Sequence, residues 1–201
     1  GDSKNDLASP SGLSVMELFS SEFCPFCPAA DRIAGEFGER PDIIVLACHV
    51  PYYSNNDETL ALPACRDRQD YYNKTIRSGS NFTPQLILNG RKSIVGHHKD
   101  KIEAALNASS KSSVMQILVN SLGKKRFELT MPELSEGDNI KVWLAFFDKN
   151  YERVIKAGTQ QGGKIIYRNI VSDLSEAFAW DGTAGRITLD VVLKDENKGF
   201  V

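Results

Sequence analysis

The sequence predicts an α/β domain followed by an all-β, antiparallel, sandwich-like domain. Two apolar runs, residues 13–19 and 43–48, flank a segment whose apolar residues recur at helical spacing, the pattern of a βαβ unit with parallel strands. Asn89-Gly90 stands between two short apolar runs, the strongest short-range signal for a hairpin. Beyond residue 113 the hydrophobic period changes to two, as in 186–191. These features divide the chain into a flexible segment (1–12), an α/β domain (13–108), a small-polar linker (109–113) and a β domain (114–201).

Ser9-Pro10-Ser11-Gly12 is loop chemistry, and the run 13–19 is short and apolar enough for a strand buried on both faces. Phe26, Ala30, Ile33, Ala34 and Phe37 then repeat at helical spacing, with Gly38 near the end. Pro41-Asp42 turns the chain into a second buried strand ending at Cys48. Residues 64–77 read as a helix presenting Cys65, Tyr72 and Ile76 on one side, with Gly79 just past its end. The Asn89-Gly90 hairpin follows, and a helix over 99–107 carries Ile102, Ala105 and Leu106 inward. In the second half 141–147 and 164–171 are further β-rich runs, and six to eight strands are expected there. The glycine-rich 158–163 lacks the Lys-Ser/Thr pair of a phosphate loop and reads as a turn between strands.

A net charge of −2 over 201 residues gives no electrostatic basis for binding nucleic acid or an anionic membrane. No apolar run approaches the roughly 18 residues that span a bilayer, so membrane insertion is not expected. The polar start, Gly1-Asp2-Ser3-Lys4, fits a mature secreted or periplasmic protein whose signal peptide has been removed, and a cytosolic protein equally. The four cysteines, Cys24, Cys27, Cys48 and Cys65, form an even set compatible with an oxidising compartment.

The chemistry concentrates in Phe23-Cys24-Pro25-Phe26-Cys27-Pro28, a dithiol between a strand and a helix. With Cys24 capping the helix and Pro25 at its first position, the Cys24 sulfur faces free N–H groups and the positive end of the helix dipole. Both lower its pKa and make it a nucleophile, with Cys27 as resolving thiol. The other readings are a structural disulfide or half a zinc site. No second CxxC or Cys-His pair at zinc-finger spacing accompanies the dithiol. Glu17, in an apolar strand, is expensive to bury unpaired and is expected to pair with His49 or to be capped by backbone N–H groups, Glu17 and His49 being candidates for proton handling. Cys48 and Cys65 either close a second disulfide or remain buried free thiols.

Residues 13–107 resemble the thioredoxin superfamily in an ordered set: the dithiol after a buried strand, Thr83-Pro84, a strand, the Asn-Gly hairpin, a strand, Gly96 and a closing helix. The resemblance implies a cis proline at Pro84 lying against the dithiol. It also implies a substrate groove formed by Phe23, Pro25, Phe26, Thr83, Pro84 and His97. Thioredoxins carry a buried acid in the strand before the dithiol; by spacing that position is Leu18 here, with Glu17 one residue earlier. The whole chain is similar to a little-characterised family of secreted bacterial proteins that fuse a thioredoxin-like half to a C-terminal β-domain. The matching stretches include Met16-Glu17-Leu18-Phe19, His49-Val50-Pro51-Tyr52-Tyr53 and Tyr167-Arg168-Asn169-Ile170-Val171. Pro51-Tyr52-Tyr53 departs from that family's usual segment, and Cys48 and Cys65 lie outside its common pattern.

The expected function is that of a periplasmic or secreted thiol–disulfide oxidoreductase. It needs no cofactor beyond its own Cys24–Cys27 disulfide and acts on a protein or small-molecule thiol partner. One alternative is a protein binding Cu(I) or another soft metal through Cys24, Cys27 and His97. A second is a non-catalytic thioredoxin-like adaptor. The Pro25-Phe26 spacer does not set the redox direction, and no feature of the sequence sets the oligomeric state.

Overall fold

The computed structural model describes residues 13–53, 60–109, 115–134 and 140–201. The expected lead-in 1–12 and nearly all of the linker lie outside them. The first half runs β1 (Ser14–Ser20), α1 (Cys27–Gly38), β2 (Ile43–His49), α2 (Pro63–Thr75), β3 (Gln85–Leu88), β4 (Lys92–Val95) and α3 (Lys99–Ser109). The second half supplies β5 (Leu118–Ser121), β6 (Arg126–Met131), β7 (Ile140–Val154), β8 (Lys164–Trp180), β9 (Gly185–Asp190) and β10 (Lys198–Phe200). The result is a mixed α/β structure with a large mixed sheet and a small antiparallel one.

β1 pairs in parallel with β2 and antiparallel with β3, which turns through Asn89-Gly90 into β4. Asn89 and Gly90 take φ of 50° and 65°, the two successive positive values that a type I′ turn requires. The seven-stranded sheet has the order β10-β7-β8-β2-β1-β3-β4, and β5-β6-β9 form a separate three-stranded sheet.

Three strands of the second half therefore extend the sheet of the first, rather than closing into a sandwich of their own. The reason lies in the length of β7 and β8, at 15 and 17 residues. One part of this hairpin places Ala145, Val171 and Leu174 in the core with Phe19, Cys48 and Ile87. Another part places Trp180, Val142 and Phe178 against Leu129, Met131 and Ile187 of the small sheet. The join to β2 is short: Ala47 pairs with Ile170, and Asn169 at φ 49° donates its side-chain amide to the Val45 carbonyl at 3.0 Å. Period-two alternation identified these strands but carried no information about which edge they would extend.

Alternation along β1 sorts its side chains between two cores. Met16 and Leu18 join Ala30, Ala34, Phe37, Leu86 and Ile102 under α1 and α3. Phe19 faces the opposite way, toward Cys65 and Tyr72 of α2. Glu17 shares the Phe19 face, and this fixes its partners. On the same side of the sheet, the buried Gln69 amide donates to Gln85 and to the Phe82 carbonyl, both at 2.8 Å. Asn73 donates to Asn81 at 2.6 Å. These bonds tie segment 81–85 to α2 and thereby place Thr83-Pro84. Cys48 and Cys65 are joined in a disulfide between β2 and α2, the bridged one of the two states the sequence left open.

Candidate functional site: a buried dithiol

β1 delivers the chain to a turn, 21–26, in which the Cys27 N–H bonds back to the Cys24 carbonyl at 3.1 Å. α1 begins only at Cys27, with Phe26 as its N-cap residue and Pro28 in its first turn. The helix therefore starts two residues later than expected, because the Cys24–Cys27 turn comes before it. Pro28, not Pro25, is the proline whose missing N–H has no helical acceptor to lose. Cys24 still lies against the N–H groups of Phe26 and Cys27.

Both thiols are unbridged and buried, Cys24 at 4% and Cys27 at 0% exposure. Their acidities are driven apart. A hydrogen bond from the Cys27 thiol lowers Cys24 to a pKa of about 6 against the opposing effect of burial, with help from Thr83 and two backbone N–H groups. Burial pushes Cys27 strongly up, and donation to Cys24 and the nearby Asp31 charge push it further. At neutral pH the arrangement is one thiolate and one thiol that holds a proton against it.

The Thr83-Pro84 peptide is cis. The Gly96 N–H donates to the Pro84 carbonyl at 2.9 Å, and a Cβ at Gly96 would stand 2.8 Å from Leu18 Cδ1, 3.1 Å from Pro84 Cβ and 3.2 Å from Ala30 Cβ. Only glycine allows β1, α1 and Pro84 to approach so closely. The next residue, His97, stacks on the exposed Phe26 with ring centroids 5.2 Å apart, and burial and His98 lower its pKa. Among the described residues no three His, Cys, Asp or Glu side chains are grouped to hold a metal ion.

The expected Glu17–His49 pair does not form. Glu17, on the α2 face of β1, accepts from Arg68 and from the Tyr72 hydroxyl. Its partner had to come from α2, which packs on that face. The carboxylate near the dithiol is Asp31, one helical turn beyond Cys27 on α1 and 3% exposed. Its Oδ2 accepts from Ser20 Oγ at 2.7 Å, and its Oδ1 lies 4.0 Å from His49 Nε2. Burial raises Asp31 to a pKa of about 6, against lowering by His49, Ser20 and Arg32. His49 itself is fully buried, with the Tyr167 ring 4.9 Å away edge-on.

A second element that the sequence did not reveal reaches the site from β7 and β8. Glu22, buried in the dithiol loop, pairs with Arg153 at 2.8 Å and Lys156 at 3.5 Å, and Lys156 lies over the Phe23 ring at 5.2 Å. Arg32 donates to Gln160. The expected groove residues Phe23, Pro25, Phe26, Thr83, Pro84 and His97 thus cluster at one end of the sheet, with the hairpin tip beside them.

The sequence matches the family described as "Protein of unknown function (DUF1223)" over residues 15–200. The chain belongs to this family. Its fold is similar to that of a crystal structure of an Agrobacterium tumefaciens protein, with a TM-score of 0.75 at 24% identity, covering 89% of this chain and 79% of the other. It is also similar to HBP35 of Porphyromonas gingivalis, with a TM-score of 0.60 at 13% identity, covering 94% and 68%. At these identities the likeness concerns the fold. No curated protein sequence matches the chain.

For this DUF1223 member, the two site features missed by sequence reading had different visibility. Asp31 had a signal: it stands four residues after Cys27, on the same face of a helix whose neighbouring Ala30 and Ala34 are apolar. The hairpin tip had none, since its contact with the dithiol loop joins residues about 130 apart.

Proposed function

We propose that this protein is a thiol–disulfide oxidoreductase working outside the cytoplasm, with residues 13–108 forming a thioredoxin-like unit. The observation that carries the reading is the opposite shift of two adjacent thiols, Cys24 down and Cys27 up, beside a cis proline. The order β1-α1-β2-α2-β3-β4-α3 and the Gly96 contact with Pro84 support the thioredoxin-like reading. The Cys48–Cys65 bridge supports an oxidising compartment.

In the reductive direction the Cys24 thiolate attacks one sulfur of a substrate disulfide. The substrate S–S bond breaks, a mixed disulfide forms and the other substrate sulfur leaves as a thiolate that takes up a proton. Cys27 then loses its proton and attacks Cys24 Sγ. The Cys24–Cys27 bond forms, and the second substrate sulfur leaves. Two electrons have passed from the dithiol to the substrate, and an external dithiol reverses the change. Asp31, one helical turn from Cys27 and joined to the Ser20 hydroxyl, is placed to accept the Cys27 proton.

Reduction of oxidised glutathione by dithiothreitol, followed with wild type, Cys24→Ser and Cys27→Ser, tests the reading. Wild type accelerates the reaction, Cys24→Ser abolishes the acceleration, and Cys27→Ser accumulates the mixed disulfide. Equal rates for wild type and Cys24→Ser overturn it.

A further inference from the structure

The tip of the β7–β8 hairpin is solvent-exposed on its outer side and packs against the dithiol loop on its inner side. Gly158, at φ +86°, lies so close to Pro25 that a Cβ there would stand 2.6 Å from the Pro25 carbonyl oxygen and 3.1 Å from its Cα. This is backbone packed on backbone, one residue from the nucleophile. The tip is internally braced: Ile155 N–H bonds to the Gly163 carbonyl at 2.8 Å, Gly162 N–H to Ile155 at 2.9 Å and Gln161 N–H to Gly158 at 3.2 Å. Externally it is fixed by Arg153 on the buried Glu22 carboxylate, by Lys156 over Phe23 and by Gln160 on Arg32. The strands behind it pair over most of their length, so the tip stands on a stiff stem.

Cys24 is 4% exposed, while Phe26 beside it is 62% exposed. Exchange requires the incoming disulfide to approach the Cys24 sulfur with its S–S bond in line. Gly158 packs on Pro25 next to the nucleophile, and the exposed Phe26, stacked on His97, is the surface over which an incoming disulfide would approach.

We propose that the 156–162 tip is the specificity element of this site. It admits disulfides carried on a small molecule or an extended chain and rejects those seated on a folded surface. The inference rests on the oxidoreductase reading. Size exclusion by a rigid wall is a selection at the transition state, expressed in kcat/KM ratios.

The test compares wild type with a variant in which residues 156–162 are replaced by a two-residue Asn-Gly turn. Substrates are oxidised glutathione and the native disulfides of folded insulin. Shortening is expected to raise kcat/KM for insulin about tenfold and to change that for glutathione by less than about threefold. Glu22→Gln, which releases Arg153 while leaving the loop intact, is expected to shift the ratio in the same direction by a smaller factor. It serves if the shortened chain does not fold. An unchanged insulin-to-glutathione ratio in the folded variants overturns the specificity role while leaving the oxidoreductase reading intact. Absence of turnover by wild type on either substrate overturns both.

Discussion

The Asp31 carboxylate and the His49 imidazole lie 4.0 Å apart, one on α1 and the other at the end of β2, and both side chains are almost entirely buried. A carboxylate held there without a nearby cation or donor would be very costly. Ser20, His49 and Arg32 lower that cost in part, and the remainder appears as a pKa raised to about 6. The same placement puts a base of near-neutral pKa one helical turn from Cys27, the thiol that would lose a proton in the proposed resolving step.

Asp31→Asn keeps an acceptor for Ser20 and removes the titrating group. The resolving step is expected to slow by about a hundredfold, with its pH inflection near 6 lost. Quenched-flow trapping of the mixed disulfide measures this directly. A second readout is stability. Because the folded pKa lies above the ordinary 3.8, the wild type loses stability as pH rises from about 4 through about 6, by roughly 3 kcal/mol from this group. The difference in unfolding free energy between wild type and variant, followed across that window while His49, Cys27 and Arg32 stay in place, should show that decline.

Cys24 should alkylate with a pH midpoint of about 6. The leading cause is donation from Cys27, so Cys27→Ala is expected to move the midpoint up toward the ordinary thiol value of 9.0. Thiolate absorbance near 240 nm, titrated with and without the substitution, checks both the value and the sign. An unchanged midpoint would assign the shift to Thr83 and the backbone N–H groups instead.

Much of the first half was legible because its signals are local. Asn89-Gly90 set the hairpin, and apolar runs set β1 and β2, each within a few residues of sequence. Boundaries set by competing turns were less legible: two prolines flank the start of α1, and only the Cys27-to-Cys24 bond decides that Pro28 is the helical one. Glu17 illustrates a further limit. The need for a partner was readable from an acid in an apolar strand, but the partner was not. Arg68 lies about 50 residues away, on an element whose packing face is a tertiary property. The same limit hid the extension of the sheet through Ala47 and Ile170.

The Glu17–Arg68–Tyr72 group predicts a large and asymmetric stability effect. Arg68→Met leaves Glu17 buried without its cation and should destabilise by about 3–5 kcal/mol. Glu17→Leu combined with Arg68→Met should recover most of that loss, since an apolar pair needs no compensation. Urea denaturation of the single and double variants gives the comparison.

The disulfide between Cys48 and Cys65 spans 17 residues, for which chain-entropy arguments give about 3 kcal/mol of stabilisation. Cys48→Ala with Cys65→Ala should lower the urea midpoint accordingly. The Cys24 alkylation midpoint should stay unchanged, because neither residue contributes to it.

Gly96→Ala tests whether the site depends on the close approach of three elements. The new methyl would enter space already held by the fully buried Leu18 Cδ1 and by the Cβ atoms of Pro84 and Ala30. Overpacking of this kind costs about 1–3 kcal/mol, and the least constrained neighbour moves. Leu18 and Ala30 are fixed in the first core, whereas Pro84 sits in a connecting segment just before β3. The expected result is displacement of Pro84 and slower exchange at Cys24, beyond what the loss of stability explains. Gly38→Ala is the control: its Cβ would meet Val45 at 3.5 Å, an ordinary contact, so stability and exchange rate should both stay near wild type. A Gly96→Ala protein that loses stability and exchanges at the wild-type rate would show that Pro84 takes no part in presenting the substrate.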